Sequence, residues 1–288
     1  MPYPAAGPRA AARYPHFPDK YAQPAVIDPD EHAAYVRARH GATSLHHLHG
    51  VVLVYQGALL RHLRSTETTQ TLQGWVSGEL HLLERTKRRV GVCGGFGLGA
   101  PAAAMVAEQL IALGVRCLIT VGTAGAVAPD IAVGEVVVCR QAIRDEGLSH
   151  HYLPPGTYAH PCRSLTDRLA AALHTHHVTA RSGVTWTIDA PYRETVAEVR
   201  YYQRHGVATV DMEAAAIFAV AEYRKVAAAA AFAISDTVAD TARQPRQASP
   251  ATQHALQQLL AAAVTTLDQP APNSPRRTGR DRLRRTRR

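Results

Sequence analysis

The chain has 288 residues, 46% of them hydrophobic, enough for one large domain or two small ones with a full core. Its net charge of +9 is unevenly distributed: residues 271–288 hold eight arginines and one aspartate, so the body carries only about +2 (9 − 7) and the pI of about 9.7 says little about a substrate. Cys93, Cys117, Cys139 and Cys162 lack CxxC or zinc-type spacing, no apolar stretch reaches membrane-spanning length, and the N-terminus lacks a signal-peptide core, so a disulfide scaffold, a zinc module and a membrane span are excluded and a soluble, cytoplasmic protein is expected.

Residues 1–28, rich in proline and aromatics and without periodicity, predict an extended arm over the body or a neighbouring subunit. Asp28-Pro-Asp-Glu31 predicts a helix start, capped by Asp28 or Asp30, running to about Arg39. Val51–Tyr55 is an apolar strand followed by Gln56-Gly57 and a helix from about Ala58, and a helical pattern interrupted by glycine is read over 70–85. Arg89–Cys93 predicts a second strand that runs into Gly94-Gly-Phe-Gly-Leu-Gly-Ala-Pro101, after which an alanine-rich helix extends to about Leu113. Strands are expected over 115–121 and 134–139, a proline-containing loop over 153–162, a helix over 164–177 and a strand over 179–187. A helix over 193–204, a strand over 206–210, a helix over 214–224, a strand over 226–234 and a helix over 250–266 complete the series. Strands alternating with helices predict an α/β fold, a single domain over 29–268 with a central mixed twisted sheet flanked by helices, followed by a disordered Arg-rich tail over 269–288.

The chemistry concentrates at the predicted strand ends. Val210-Asp-Met-Glu-Ala-Ala-Ala216 puts Glu213 at a strand-to-helix step, where pockets of α/β proteins open. A carboxylate there accepts two hydrogen bonds at once, which suits a vicinal diol such as that of ribose, and Met212 offers a polarisable apolar surface. The bland alternative is a helix-start acid beside the dipole, with Met212 in the core. The glycine run 94–99 sits between strand and helix, where backbone amides approach an anion, although neither the phosphate-loop nor the dinucleotide spacing is present. Gly122-Thr-Ala-Gly125 adds a hydroxyl and amides, and Asp236 at the end of its strand is a candidate proton donor to a leaving group or, equally, a turn aspartate. His150 and His151 lack the third ligand a metal site needs, so no metal is expected, and no GxSxG or Cys/His signature supports a covalent nucleophile.

Together Gly95–Pro101, Val121-Gly-Thr-Ala-Gly-Ala126, Val210–Ala215 and Ile234-Ser-Asp236 resemble, in order and spacing, the nucleoside phosphorylase family, in the hexameric branch that includes purine nucleoside and uridine phosphorylases and related nucleosidases. The stretch 142–150 also resembles the segment after the fourth strand of uridine phosphorylases. The resemblance covers residues 45–265 and implies phosphorolysis of an N-glycosidic bond to free base and ribose 1-phosphate, with no cofactor beyond phosphate as co-substrate. Carried over by motif, it implies ribose binding by Glu213 and Met212, phosphate binding by Gly57, Arg61, Gly97 and Thr123, and protonation of a purine by Asp236. Trp186 and Tyr192 are the candidates for stacking on the base. The family's first strand ends in Gly-Asp-Pro, where this chain reads Gln56-Gly-Ala; the family's phosphate arginine is Thr120 here, with Arg144 as a candidate substitute. That loss leaves a hydrolytic nucleosidase of the same fold as an alternative, and a uridine phosphorylase is a further one. Outside enzymes, a nucleic-acid-associated protein acting through residues 276–288 is the rival class. The resemblance also implies a homo-oligomer, a dimer or trimer of dimers.

Overall fold

The computed structural model describes residues 14–17, 19–41, 44–238 and 249–269; the expected Arg-rich tail beyond 269 and the expected arm before 14 lie outside the described residues. Helix α1 (Pro29–His40) starts as the sequence predicts, with Pro29 in its first turn and the Asp28 carboxylate accepting the Asp30 amide at 2.9 Å. Strand β1 (Gly50–Val54) and helix α2 (Gly57–Thr66) follow.

The helix expected over 70–85 is not formed. That stretch is a hairpin of β2 (Thr69–Leu72) and β3 (Glu79–Leu83). Gly74 and Gly78 both have left-handed backbones, φ 72° and 96°, and a side chain at Gly78 would sit 2.5 Å from the Gly94 carbonyl. The pairing of β3 with the buried strand β4 (Val90–Gly94) outweighs the local helical pattern. Helix α3 (Ala100–Ala112) then leads to β5 (Cys117–Ala126) and β6 (Val136–Asp145). Both strands are longer than expected, so Gly122–Gly125 and Arg144 lie within strands rather than beyond them. The short β7 (Tyr158–Ala159), α4 (Arg163–Thr175) and β8 (Ala180–Ile188) come next. Helix α5 (Val196–Arg204) starts at a capping box between Thr195 and Glu198, after a separate 3-10 turn at Pro191–Arg193. The chain closes with β9 (Val207–Asp211), α6 (Ala214–Arg224), β10 (Ala227–Thr237) and α7 (Pro250–Asp268).

The ten strands form one mixed sheet, ordered β10-β6-β8-β9-β5-β1-β4-β3-β2, with β7 on β6. Because β10 also pairs in parallel with β5, strands β5, β10, β6, β8 and β9 close on themselves. Helices α1, α3 and α6 cover one face through residues such as Val36, Leu110 and Phe218, and α2, α4 and α7 cover the other through Leu63, Leu169 and Leu259. Strand β10 is sandwiched between them: Ala228, Ala230 and Phe232 face the first core, Ala229, Ala231 and Ala233 the second. Double burial with period 2 holds an alanine run as a strand despite its helix propensity. All four cysteines are free, and burial pushes the Cys93 thiol up to about 12. Among the described residues no helix is long and apolar enough to cross a membrane.

Candidate active site

A pocket of about 800 Å³ opens where β1, β5, β9 and β10 end, and it is lined by Tyr55 and Gln56, Leu98, Thr123–Gly125, Pro191, Tyr192, Glu194, Val210–Glu213, Ser235, Asp236 and Val238. Five of the sequence-predicted site residues therefore share one cavity: Thr123, Tyr192, Met212, Glu213 and Asp236.

Glu213 is buried at the start of α6, and its Oε1 accepts the Gly99 amide at 2.7 Å. That bond joins the glycine loop to the acidic step. Gly99 precedes α3 with φ 90°, ψ 164°, a conformation that only glycine adopts without strain, and this turns its N–H across the pocket. Burial first, and the neighbouring Asp211 charge second, push the Glu213 carboxyl up to about 8. Asp236 is equally buried, with its Oδ1 accepting the Ser235 hydroxyl at 2.7 Å. A register shift against β5 between Ile234 and Asp236 re-aims the strand end so that both Ser235 and Asp236 face the pocket.

The wall formed by β1 and β5 is built differently. Gln56 Nε2 donates to Thr123 Oγ1 at 3.0 Å. The Tyr55 hydroxyl pairs with Thr120 Oγ1 at 2.7 Å, and its ring lies over Gly122, where a Cβ would stand 3.1 Å from Cδ2. Burial, then the charge of Glu213, raises the Tyr55 phenol well above its ordinary value. Among the described residues the pocket lining includes Glu194, Asp211, Glu213 and Asp236 but no lysine, arginine or histidine.

A family model described as the phosphorylase superfamily matches residues 49–267. The chain belongs to the phosphorylase superfamily. Among curated relatives it is 32% identical over 160 residues to the DeoD-type purine nucleoside phosphorylase of Exiguobacterium sibiricum, covering 53% of this chain and 67% of that protein. It is 35% identical over 141 residues to the uridine phosphorylase of Treponema pallidum, covering 45% and 55%. The chain spans between 32% and 67% of the length of the curated relatives it matches. Among solved structures, the purine nucleoside phosphorylase of Toxoplasma gondii in complex with immucillin-H superposes with a TM-score of 0.67 at 20% identity, covering 77% of this chain and 92% of that one. The AMP nucleosidase of Bacteroides thetaiotaomicron superposes with 0.65 at 20% identity, covering 83% and 98%.

Within this superfamily fold, five expected site residues lie outside the pocket lining. Trp186 is fully buried, tilted over Tyr202 at 4.5 Å between ring centroids, and donates its indole N–H to Asp145 at 2.8 Å. It is a core residue in this chain, and the expectation that it stacks on a base is corrected. Arg144 is buried as well, and its guanidinium is committed to the 149–154 turn: Nε donates to Ser149 Oγ at 2.9 Å, Nη1 to the Pro154 carbonyl at 2.7 Å and Nη2 to the Ser149 carbonyl at 3.0 Å. It is not a substitute for the arginine replaced by Thr120. Gly97 is exposed, and the loop reaches the pocket through Leu98 and Gly99 instead. Gly57 and Arg61 meet at the start of α2, with Arg61 Nη1 3.4 Å from where a Cβ on Gly57 would stand, one residue beyond the lining residue Gln56. Tyr192 is 95% exposed at the pocket mouth.

Sequence reasoning missed Tyr55, Gln56, Glu194 and Asp211. Asp211 was legible in principle as the first acid of the same step. Gln56 stood where the family resemblance departs, and only the β1–β5 pairing reveals its partner and that of Tyr55. His150 and His151 make protein contacts, on the Arg144 carbonyl at 3.0 Å and the Tyr14 hydroxyl at 2.8 Å.

Proposed function

We propose that the chain cleaves the N-glycosidic bond of a purine nucleoside with phosphate, giving free base and ribose 1-phosphate. The observation that carries this reading is the convergence of Glu213, Met212 and Asp236, from two different strand ends, on one buried wall of a single pocket. Glu213 receives the ribose 2′ and 3′ hydroxyls while Gly99 fixes its other side, and Met212 packs against the sugar. Donation from the diol favours the charged carboxylate, which then stabilises the positive charge growing on the sugar. Asp236, oriented by Ser235, hands a proton to the imidazole nitrogen of the departing base. A pyrimidine has no such nitrogen, and this is the reason for preferring purines over uridine. Thr123, Gln56 and the start of α2 with Arg61 beside it form the phosphate side. Tyr192 covers the base from the mouth.

A second reading, hydrolysis by water, is favoured by the lining itself, which among the described residues holds four carboxylates and no cation. A phosphate dianion meets repulsion there that water does not. The family resemblance supports assembly into a homo-oligomer, a dimer or trimer of dimers. Base release from inosine, adenosine, guanosine and uridine, with and without phosphate, tests all of this. Phosphate-dependent release with ribose 1-phosphate is the expected outcome; equal release without phosphate, giving free ribose, replaces it with the hydrolytic reading. Release from uridine alone overturns the purine preference.

A further inference from the structure

Asp211 lines the pocket beside Glu213, yet its carboxylate has little capacity left for a ligand. Thr185 Oγ1 and Thr187 Oγ1 donate to its Oδ1 at 3.1 and 2.7 Å, and the amides of Glu213 and Ala214 donate to its Oδ2 at 2.9 and 2.7 Å. A carboxylate has about four acceptor sites, and these bonds occupy nearly all of them, the Thr185 proton being shared with the Thr209 carbonyl at 3.3 Å. Thr187 cannot turn away, because its oxygen accepts the Ala215 amide at 3.1 Å and its single proton is thereby directed at Asp211. Side chains from β8 and β9 thus satisfy the amides of Glu213, Ala214 and Ala215 at the start of α6, donors that are otherwise left open at a helix N-terminus.

The consequence falls on Glu213. It occupies the N-cap position, where an acidic side chain ordinarily folds back on the first turn, but it makes no such bond. Its carboxyl instead extends to Gly99 on the opposite side. We propose that Asp211, Thr185 and Thr187 form a positioning lock, in which Asp211 takes over the capping of α6 so that the Glu213 carboxyl is held out for the substrate's sugar. Asp211 itself touches no substrate. The proposal rests on the reading of Glu213 as the sugar-binding group.

The surroundings of Glu213 fit such a lock, although the Asp211 charge also reaches Tyr55 and Cys139. The titratable groups that act on Glu213 or feel its charge are Asp211 on β9 and the Tyr55 phenol after β1, while the glycine loop contributes the Gly99 amide. Removing the Asp211 charge eases ionisation of Glu213, so its titration moves to lower pH.

The test compares wild type with Asp211→Asn, Thr187→Val and Thr187→Ser in the full chain. Two readouts are used: the ¹³C NMR titration of the Glu213 carboxyl, assigned by its loss in Glu213→Gln, and kcat and KM for base release. An asparagine presents a donor where the aspartate accepted. Asp211→Asn should therefore lower the Glu213 titration and reduce kcat on the order of 10- to 100-fold, the scale of a misplaced catalytic contact, with a smaller change in KM. Thr187→Val should reduce kcat in the same direction, and Thr187→Ser, which keeps the hydroxyl, should restore it. A folded Asp211→Asn with an unmoved titration, or a folded Thr187→Val with wild-type kcat, overturns the lock. If Asp211→Asn does not fold, the valine and serine pair decides. If wild type releases no base from any nucleoside, the functional reading fails while the NMR titration still decides the lock.

Discussion

The two walls of the pocket make an instructive contrast. On the side of β9 and β10 every acid is held by short bonds from its own neighbourhood: Glu213 by Gly99, Asp211 by two threonines and two amides, Asp236 by Ser235. On the side of β1 and β5 the lining groups are neutral; Arg144 is committed to the 149–154 turn, and Arg61 stands beside the start of α2, next to the lining residue Gln56 rather than in the lining itself. A wall that handles sugar and base needs fixed acceptors and a proton, which short motifs supply within one chain. A wall that handles an anionic nucleophile needs positive charge, and among the described residues this lining supplies none.

Each side can be broken separately. Glu213→Ala should produce the largest loss, on the order of 10²- to 10³-fold in kcat, comparable to deleting one group that binds developing charge, and a variant with wild-type kcat would remove the sugar-binding role. Asp236→Asn should cost about 10²-fold or somewhat more on purine nucleosides, the lower range for general acid catalysis, and little on a pyrimidine nucleoside. Equal losses on both substrates would mean that Asp236 acts structurally. Arg144→Met takes the guanidinium donor from the buried Ser149 and Leu153 carbonyls of the 149–154 turn, at about 1–3 kcal/mol for each group left unsatisfied, so the melting temperature should fall while the KM for phosphate stays unchanged. Arg61→Met should show the reverse, a KM for phosphate raised by about tenfold, equivalent to roughly one charge-assisted hydrogen bond, at unaltered stability.

A separate effect concerns pH. Glu213 titrates near 8 when folded and near 4.5 when unfolded, so between these values the folded protein binds more protons than the unfolded chain. Stability contributed by the protonated form is therefore present below about 4.5 and is lost as pH rises towards 8. Glu213→Gln should flatten this decline in a series of thermal melts across that range; a slope identical to that of wild type would mean that Glu213 ionises normally.

Much of the fold was legible because buried strands and alanine-rich helices carry strong, distinct periods: even the alanine run of β10 was readable once it was bounded by a preceding helix and a terminal Ser235-Asp236. The β2–β3 hairpin was not, since Gly74 and Gly78 look like interruptions of a helix until β4 is present to pair with. In the site, groups fixed by local sequence were found, Glu213 and Asp236 among them. Trp186 and Arg144 misled because residue type alone does not say which way a strand residue faces, and each points at a protein partner rather than at the pocket. Residues such as Gln56, whose role depends on a strand distant in sequence, carry no signal of their own.

The pairing of Tyr55 with Thr120 also constrains how this pocket can evolve. An arginine introduced at position 120 alone would drive its long side chain into the Tyr55 ring, which is itself packed on Gly122 and edge-on to Phe96 at 5.5 Å. A smaller residue at 55 would have to come first, leaving an intermediate with an unfilled cavity and an unpaired threonine hydroxyl. The two positions are therefore epistatic, and the order of substitution matters. With the tyrosine–threonine pair in place, a basic residue at position 120 is reached only through a less stable intermediate, which makes that change hard to accomplish one mutation at a time.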